Sequence, residues 1–546
     1  FQAGEALQEA GKAEEAQARW QEVLATYPQT ASAARAADAL VLAGVTVDPY
    51  QAGQAYAAVG RSDEAVARFE EALEQGSAPF PDVHYALAQV RADQGDLAGA
   101  LAELEILAAA AADDPRPLQE QARLLAEDGS ADEALAMYAL LVERFPEEAV
   151  AGEALYRAGM LLEEHGRFGE AAGMYETLLA QFPKYAHAGE ARFRAGLLRY
   201  RQGLFAEAAV LWRGESTSTR ALLWQGLALA RLGRRREARQ AWEEAAAGRG
   251  YYAARARELL SSAPGFGRSS SGPVRGSEVA GRKEAQEWLA ELWQEPVSPA
   301  LPARLRADPC FQRGQELLAL GLEREARQPF GLLIERFADD GPALYALALY
   351  LRGSGLHAQS ILCTVRLLEA SGLSEADAPA FLLRLLYPIP YAHLIVPQAR
   401  QAGVDPLLFF ALVRQESLFD RYATSWAEAR GLTQVIPSTG EWIAGVLGYT
   451  PFAVADLYRP IVSVRFGTWY LGQVQAEFDG QALPALAGYN GGPGNARRWA
   501  GYQVPVPDLD LFVEMVDFTE TRDYLERIYT SYWTYRTLYA PASSGP

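Results

Sequence analysis

An acid set among large apolar side chains, at the edge of a loop of small and polar ones, is a candidate proton donor. Glu416 stands in such a place. It closes the stretch Leu407-Leu-Phe-Phe-Ala-Leu-Val413 and Arg414-Gln-Glu-Ser417. Asp405-Pro406 ahead of that stretch is a strong helix start, with Asp as N-cap and Pro at the first helical position. The helix reaches Glu416 after about three turns. Burial there would keep the carboxyl protonated near neutrality, the state a general acid needs. From this stretch alone the plainer reading, a solvated charge at a helix end, stays open.

Three further features follow in order. Gly431-Leu-Thr-Gln-Val-Ile-Pro437 pairs a turn-forming glycine with Gln434, whose amide can donate and accept. Ala487-Gly-Tyr-Asn-Gly-Gly-Pro-Gly494 sets Tyr489 and Asn490 before a glycine-rich turn. Phe518-Thr-Glu-Thr-Arg-Asp-Tyr524 sits in a helical pattern with Val513, Val516 and Ile528 as apolar positions. Singly, each of these is ordinary turn or helix chemistry. The five histidines are dispersed and no Cys/His cluster has metal spacing, so no structural zinc and no cofactor are expected. Cys310 and Cys363 read as buried free thiols, with pairing in an oxidising compartment as the alternative.

The chain that must position these residues is long, at 546 residues, and three or so domains are expected. A net charge of −19 argues against nucleic acid as a partner. No apolar run reaches the length of a membrane span. The chain starts with Phe, so a fragment or a processed product is expected.

The first half repeats. Gly11, Gly60, Gly129, Gly166, Gly203, Gly233 and Gly321 are each followed by Glu-Ala at the fourth and fifth positions, and Gly95 begins a weaker copy. Successive gaps from Gly60 to Gly233 are 35, 34, 37, 37 and 30 residues. That period is the one of tetratricopeptide-like helix pairs. Each glycine should end a first helix in the left-handed conformation. An aromatic such as Tyr138 or Tyr175 should then pack between the pair. Phe145-Pro146 and Phe182-Pro183 should close second helices. Such an array is either a scaffold for peptide or protein partners or a spacer.

Residues 1–260 are therefore expected to form a helical superhelix. The Ser/Gly/Pro-rich stretch 261–282 reads as a flexible linker or loop, and 283–395 as a helical linker domain. Tyr387-Pro-Ile-Pro-Tyr391 reads as the hinge into the last domain. Residues 396–546, dense in glycine and aromatics, hold 15 acidic against 11 basic residues. The acidity therefore belongs mainly to the array.

In order and spacing, Arg414-Gln-Glu-Ser417, Gly431-Leu-x-Gln-x-x-Pro437, Tyr489-Asn-x-Gly-Pro493 and Glu520-Thr-Arg-x-Tyr524 resemble the soluble lytic murein transglycosylase family. The match is close over 387–529 and loose over the whole chain. The resemblance implies a mainly α protein, in which a superhelix and a helical linker domain precede a lysozyme-like α(+β) catalytic domain. It implies Glu416 as the single catalytic acid/base, Tyr489 beside it and Asn490 accompanying. Ser425, Gln434 and Ile436 fall to the substrate groove, and Glu520 to a buried support below the site. Arg522 and Tyr524 are taken as structural. Thr433, Ile436, Gly440 and Gly491 depart from the family pattern, and Thr433 and Ile436 are expected to alter the groove lining. The implied partner is the peptidoglycan glycan strand, met by a monomer in the periplasm or cell envelope. Two competitors remain. One is a hydrolase of the same fold using Asp420 or another acid as its second carboxylate. The other is a non-catalytic glycan- or protein-binding scaffold.

Overall fold

A computed structural model describes residues 1–214, 218–261, 265–267 and 281–540. It is mainly helical. Among the described residues no strand forms, and β structure is limited to isolated bridges joining Thr424 to Arg430 and Arg430 to Val435. The chain divides into two compact units, Phe1–Ala241 and Trp242–Pro546.

The first unit is a run of antiparallel helix pairs. The repeat glycines Gly11, Gly60, Gly95, Gly129, Gly166, Gly203 and Gly233 all have positive φ, so each turns the chain where a side chain would be strained. The Ala131–Arg144 and Phe168–Gln181 helices stop at Phe145 and Phe182, just before the prolines. A second glycine explains how closely the helices pair. A methyl on Gly53, Gly159 or Gly196 would stand 2.5 to 2.6 Å from the ring of Phe69, Tyr175 or Trp212. In each case the aromatic lies sixteen residues later and is essentially buried. Gly314 and Phe330 repeat the arrangement in the second unit, beside the repeat-like turn at Gly321.

The second unit begins earlier than the expected superhelix ends. The Gly250–Leu260 helix belongs to it, packed on the C-terminal helix Thr519–Tyr539. Tyr251 meets Tyr529 ring to ring at 4.9 Å, and Arg255 Nε lies 2.7 Å from Asp510. The helical period of this segment matches that of the array, so only its partners reveal which unit it joins. Most of the expected linker, 262–264 and 268–280, lies outside the described residues. Its described piece is packed: Phe266 stacks on Tyr529 at 4.6 Å.

The expected hinge at Tyr387–Tyr391 is packed as well. Tyr387 is buried, and the Tyr387 and Pro388 carbonyls accept hydrogen bonds of 2.9 Å from Tyr539 and Tyr535. One apolar core runs from Tyr251 to Tyr539 through the expected boundaries at 282 and 395. Cys310 and Cys363 are both free, and Cys363 is buried.

Candidate active site

The helix that carries the acid, Pro406–Ser417, starts as its sequence requires. Asp405 caps it by accepting from the Leu407 amide at 2.8 Å, and Pro406 to Val413 are all buried. Tyr532 also donates to Asp405, at 3.0 Å. At the other end Arg414 Nε donates to the Leu386 carbonyl at 2.8 Å, with its guanidinium over the Tyr387 ring. Leu418 and Phe419 then both take positive φ, 50° and 63°. Each costs a non-glycine residue roughly 1–2 kcal/mol. The buried Phe419 ring, against Phe410, helps hold the turn. The helix thus stops abruptly one residue past Glu416.

Glu416 is half-buried as a residue, and its carboxyl sits in a dry environment. Burial pushes its pKa up to about 7, and a hydrogen bond from the Tyr524 hydroxyl pulls in the opposite direction. That bond, to Oε1, is 2.6 Å long. No cationic side chain pairs with Glu416 among the described residues. The acid is therefore poised to carry a proton near neutral pH and to release it without a large penalty.

The loop from Gly431 to Pro437 walls the site. A methyl on Gly431 would fall 2.0 Å from the Leu457 carbonyl oxygen, and its φ is +76°. Only glycine fits there. The Ser417 hydroxyl lies 2.9 Å from the Leu432 carbonyl, tying the loop to the residue after the acid. Tyr489 donates to the Thr433 carbonyl at 2.7 Å, binding the loop to the Ala482–Gly491 helix. Tyr489 also feels the Glu416 charge. Burial and that charge hold its phenol well above the ordinary value, so it stays protonated.

The structure brings Glu416, Tyr489 and the Gly431–Pro437 loop together. The other expected site residues have plainer surroundings. Gln434 uses its amide nitrogen inside the loop, 2.8 Å from the Gly431 carbonyl and 3.2 Å from that of Ala423. Its amide oxygen has no hydrogen-bond partner among the described residues. The Ser425 hydroxyl accepts from the Ala429 amide at 3.1 Å. Asn490 Oδ1 accepts from Thr521 at 2.7 Å, anchoring the start of the C-terminal helix. Ile436 is 41% exposed at the head of the Pro437–Val446 helix.

Three expectations are corrected. Glu520 is not a buried support; it is exposed in the first turn of the C-terminal helix, where the helix dipole favours an acid. Tyr524, taken as structural, instead faces inward one turn later and donates to the Glu416 carboxyl. Thr433 does not line the groove. It is fully buried, and its hydroxyl is 2.9 Å from the Ser463 carbonyl and 3.0 Å from the Ser463 hydroxyl. The signal for Tyr524 was a tyrosine five residues past the helix start, on the same stripe as Ile528.

The raised pKa has a stability consequence. Between pH 4.5, the ordinary value, and about 7, folded Glu416 holds a proton that the unfolded chain has lost. Folding then binds protons, so stability falls as pH rises through that window and the whole loss is present above it. Glu416→Gln carries no charge and escapes the loss. It is expected to unfold at a higher temperature than the parent at pH 8, by roughly 2–3 kcal/mol of stability. At pH 4 the two melting curves should coincide. Equal melting at both pH values would contradict the buried, proton-holding state.

A family model for the transglycosylase SLT domain matches residues 393–508. Tetratricopeptide repeat models match 1–30, 50–115, 120–186, 156–212 and 220–247. The soluble lytic murein transglycosylase of Salmonella typhimurium is 26% identical over 258 residues, covering 47% of this chain and 38% of the relative. That of Escherichia coli K12 is 26% identical over 262 residues, with the same coverages. The aligned part is thus about two fifths of these relatives' length. Among solved structures, lytic transglycosylase Slt of Pseudomonas aeruginosa superposes with a TM-score of 0.62 at 19% identity, over 98% of this chain and 80% of the other. The 70-kDa soluble lytic transglycosylase of E. coli gives 0.58 at 17% identity, over 95% and 88%. At these identities the superpositions establish the fold. The chain thus carries a transglycosylase SLT domain over 393–508 with tetratricopeptide repeats ahead of it, and over that part it is similar to the soluble lytic murein transglycosylases.

Proposed function

We propose that this site cleaves the β-1,4 bond between N-acetylmuramic acid and N-acetylglucosamine in peptidoglycan, leaving 1,6-anhydro ends. The observation that carries the reading is one buried carboxyl, Glu416, held near pKa 7 by burial, with no carboxylate among the described residues contributing to its shift. Protonated Glu416 gives its proton to the glycosidic oxygen as the bond to C1 of the muramic sugar breaks. The same group, now ionised, takes the proton of that sugar's own C6 hydroxyl. The C6 oxygen closes on C1, so no water enters the product. An intramolecular nucleophile has a high effective molarity, which stands in for the second carboxylate of ordinary glycosidases.

Tyr489, neutral and anchored on the Thr433 carbonyl, orients the charge change beside Glu416. Gln434 offers its unpaired amide oxygen to sugar or N-acetyl groups, with Ser425 and Ile436 nearby in sequence. Asn490 acts through Thr521, holding the helix that carries Tyr524. The tetratricopeptide array offers a surface for a protein partner. The names of the murein transglycosylase relatives support turnover or remodelling of the cell wall and a place in the envelope. No helix among the described residues is long and apolar enough to cross a membrane.

The deciding experiment is the mass of muropeptides released from intact sacculi. Anhydro ends are expected; reducing ends would replace this reading by a hydrolase. The structure disfavours Asp420 as a hydrolase's second acid. It is ion-paired with Arg327 and accepts from the Tyr422 amide at 2.9 Å, so both its oxygens are engaged. Asp420→Asn should keep cleavage within a few-fold of the parent. A loss of about a hundredfold or more, the size expected for a catalytic acid or base, would revive the hydrolase.

A further inference from the structure

Trp442 lies on the Pro437–Val446 helix and is 53% exposed, an unusual state for so large an apolar side chain. It is not loose. Its ring packs against Trp469 at 5.4 Å and edge-on to Tyr470 at 6.3 Å. Tyr470 in turn meets Tyr489 at 5.4 Å, and Tyr489 feels the charge of Glu416. A row of rings therefore runs from an exposed indole to the buried acid. Val446, one turn on and exposed, adds apolar surface on the same face of this helix.

We propose that Trp442 is a stacking platform for a pyranose ring that neighbours the sugar held at Glu416, so that the groove grips a β-1,4 glycan beyond the cleaved pair. The inference rests on the transglycosylase reading above. A pyranose has one face of C–H groups and an edge of hydroxyls, and a broad rigid aromatic is its natural counterpart: the ring covers the apolar face and leaves the edge wet. Bracing by Trp469 and Tyr470 fixes the indole in advance, so little side-chain entropy is lost on binding. The continuity of the row with Tyr489 favours a strand that also reaches the acid over an unrelated protein surface.

The test uses the whole chain in a Glu416→Gln background, titrated with chitin hexasaccharide, a β-1,4 N-acetylglucosamine probe that the variant leaves uncut. Trp442→Ala should weaken hexamer binding about tenfold, the order of one well-packed aromatic contact. Trp442→Phe keeps a ring and should stay within about threefold of the background. Melting curves check that both variants fold. Hexamer affinity unchanged in Trp442→Ala overturns the proposal, as does a background chain that does not bind the hexamer. Failure of the underlying reading looks different. If the chain is not a transglycosylase, the unsubstituted chain leaves sacculi intact or releases reducing ends whatever stands at 442, and if Glu416 is not the acid, Glu416→Gln still dissolves them. If only the platform is wrong, sacculi dissolve and the hexamer binds Trp442→Ala as before.

Discussion

Glu416→Gln should lower the rate of sacculus digestion by about 10³-fold or more, with the fold intact. Positioned acid–base catalysis contributes about 10²–10⁴-fold, and in the proposed reaction one group serves both halves. The amide is the same size and can still accept from Tyr524, so geometry survives while the proton is lost. The turbidity of a purified peptidoglycan suspension reads the result: the parent clears it and the variant leaves it cloudy. A variant that clears it would end the account. A parent that also leaves it cloudy, while co-sedimenting with the wall, would favour the scaffold reading instead. The pH profile of the parent follows from the same carboxyl. In the proposed reaction the protonated form acts first, so the rate should decline as pH rises past about 7, where Glu416 ionises.

The parts of this molecule legible in its sequence are those set by local chemistry. Asp405-Pro406 fixes one end of the acid helix, and the period of the repeat glycines fixes the array, because caps and left-handed turns need only a few neighbouring residues. The glycines that admit Phe69, Tyr175 and Trp212 sixteen residues later were also within reach as a second spacing. What stayed hidden depends on which face meets which partner across long stretches of chain. The Gly250–Leu260 helix has an array-like pattern but buries Arg255 and Glu258 against residues some 250 to 270 positions later. Thr433 looked like a change in groove lining, yet Ser463, thirty residues on, satisfies its hydroxyl in the interior. Glu520 and Tyr524 share a motif, and nothing in the motif says which of them turns inward. An acid draws attention as the chemical partner of another acid, whereas a buried carboxyl is better served by a neutral donor that neither repels nor fully ionises it.

Tyr524→Phe should change the acid itself. The hydroxyl removed is, among the described residues, the one hydrogen-bond donor to the Glu416 carboxyl, at 2.6 Å, and it opposes the rise caused by burial. Without it the folded-state pKa should climb further above 7, and the alkaline limb of the pH–rate profile should move to higher pH. The carboxyl also loses the contact that fixes its rotamer, so kcat should fall about 10- to 100-fold with KM little changed. Stability should follow the sign worked out for a raised acid. At pH 8 the variant must bury an ionised carboxylate with no donor, a loss of about 1–3 kcal/mol. Near pH 4 Glu416 is protonated in both folded and unfolded chains, and little of that loss remains. A purely packing role for Tyr524 makes the opposite forecast, since phenylalanine fills the same space: kcat, the limb and the pH dependence of melting would all stay where they are. Measured together, the three separate a donor that tunes the acid from a ring that only fills the core.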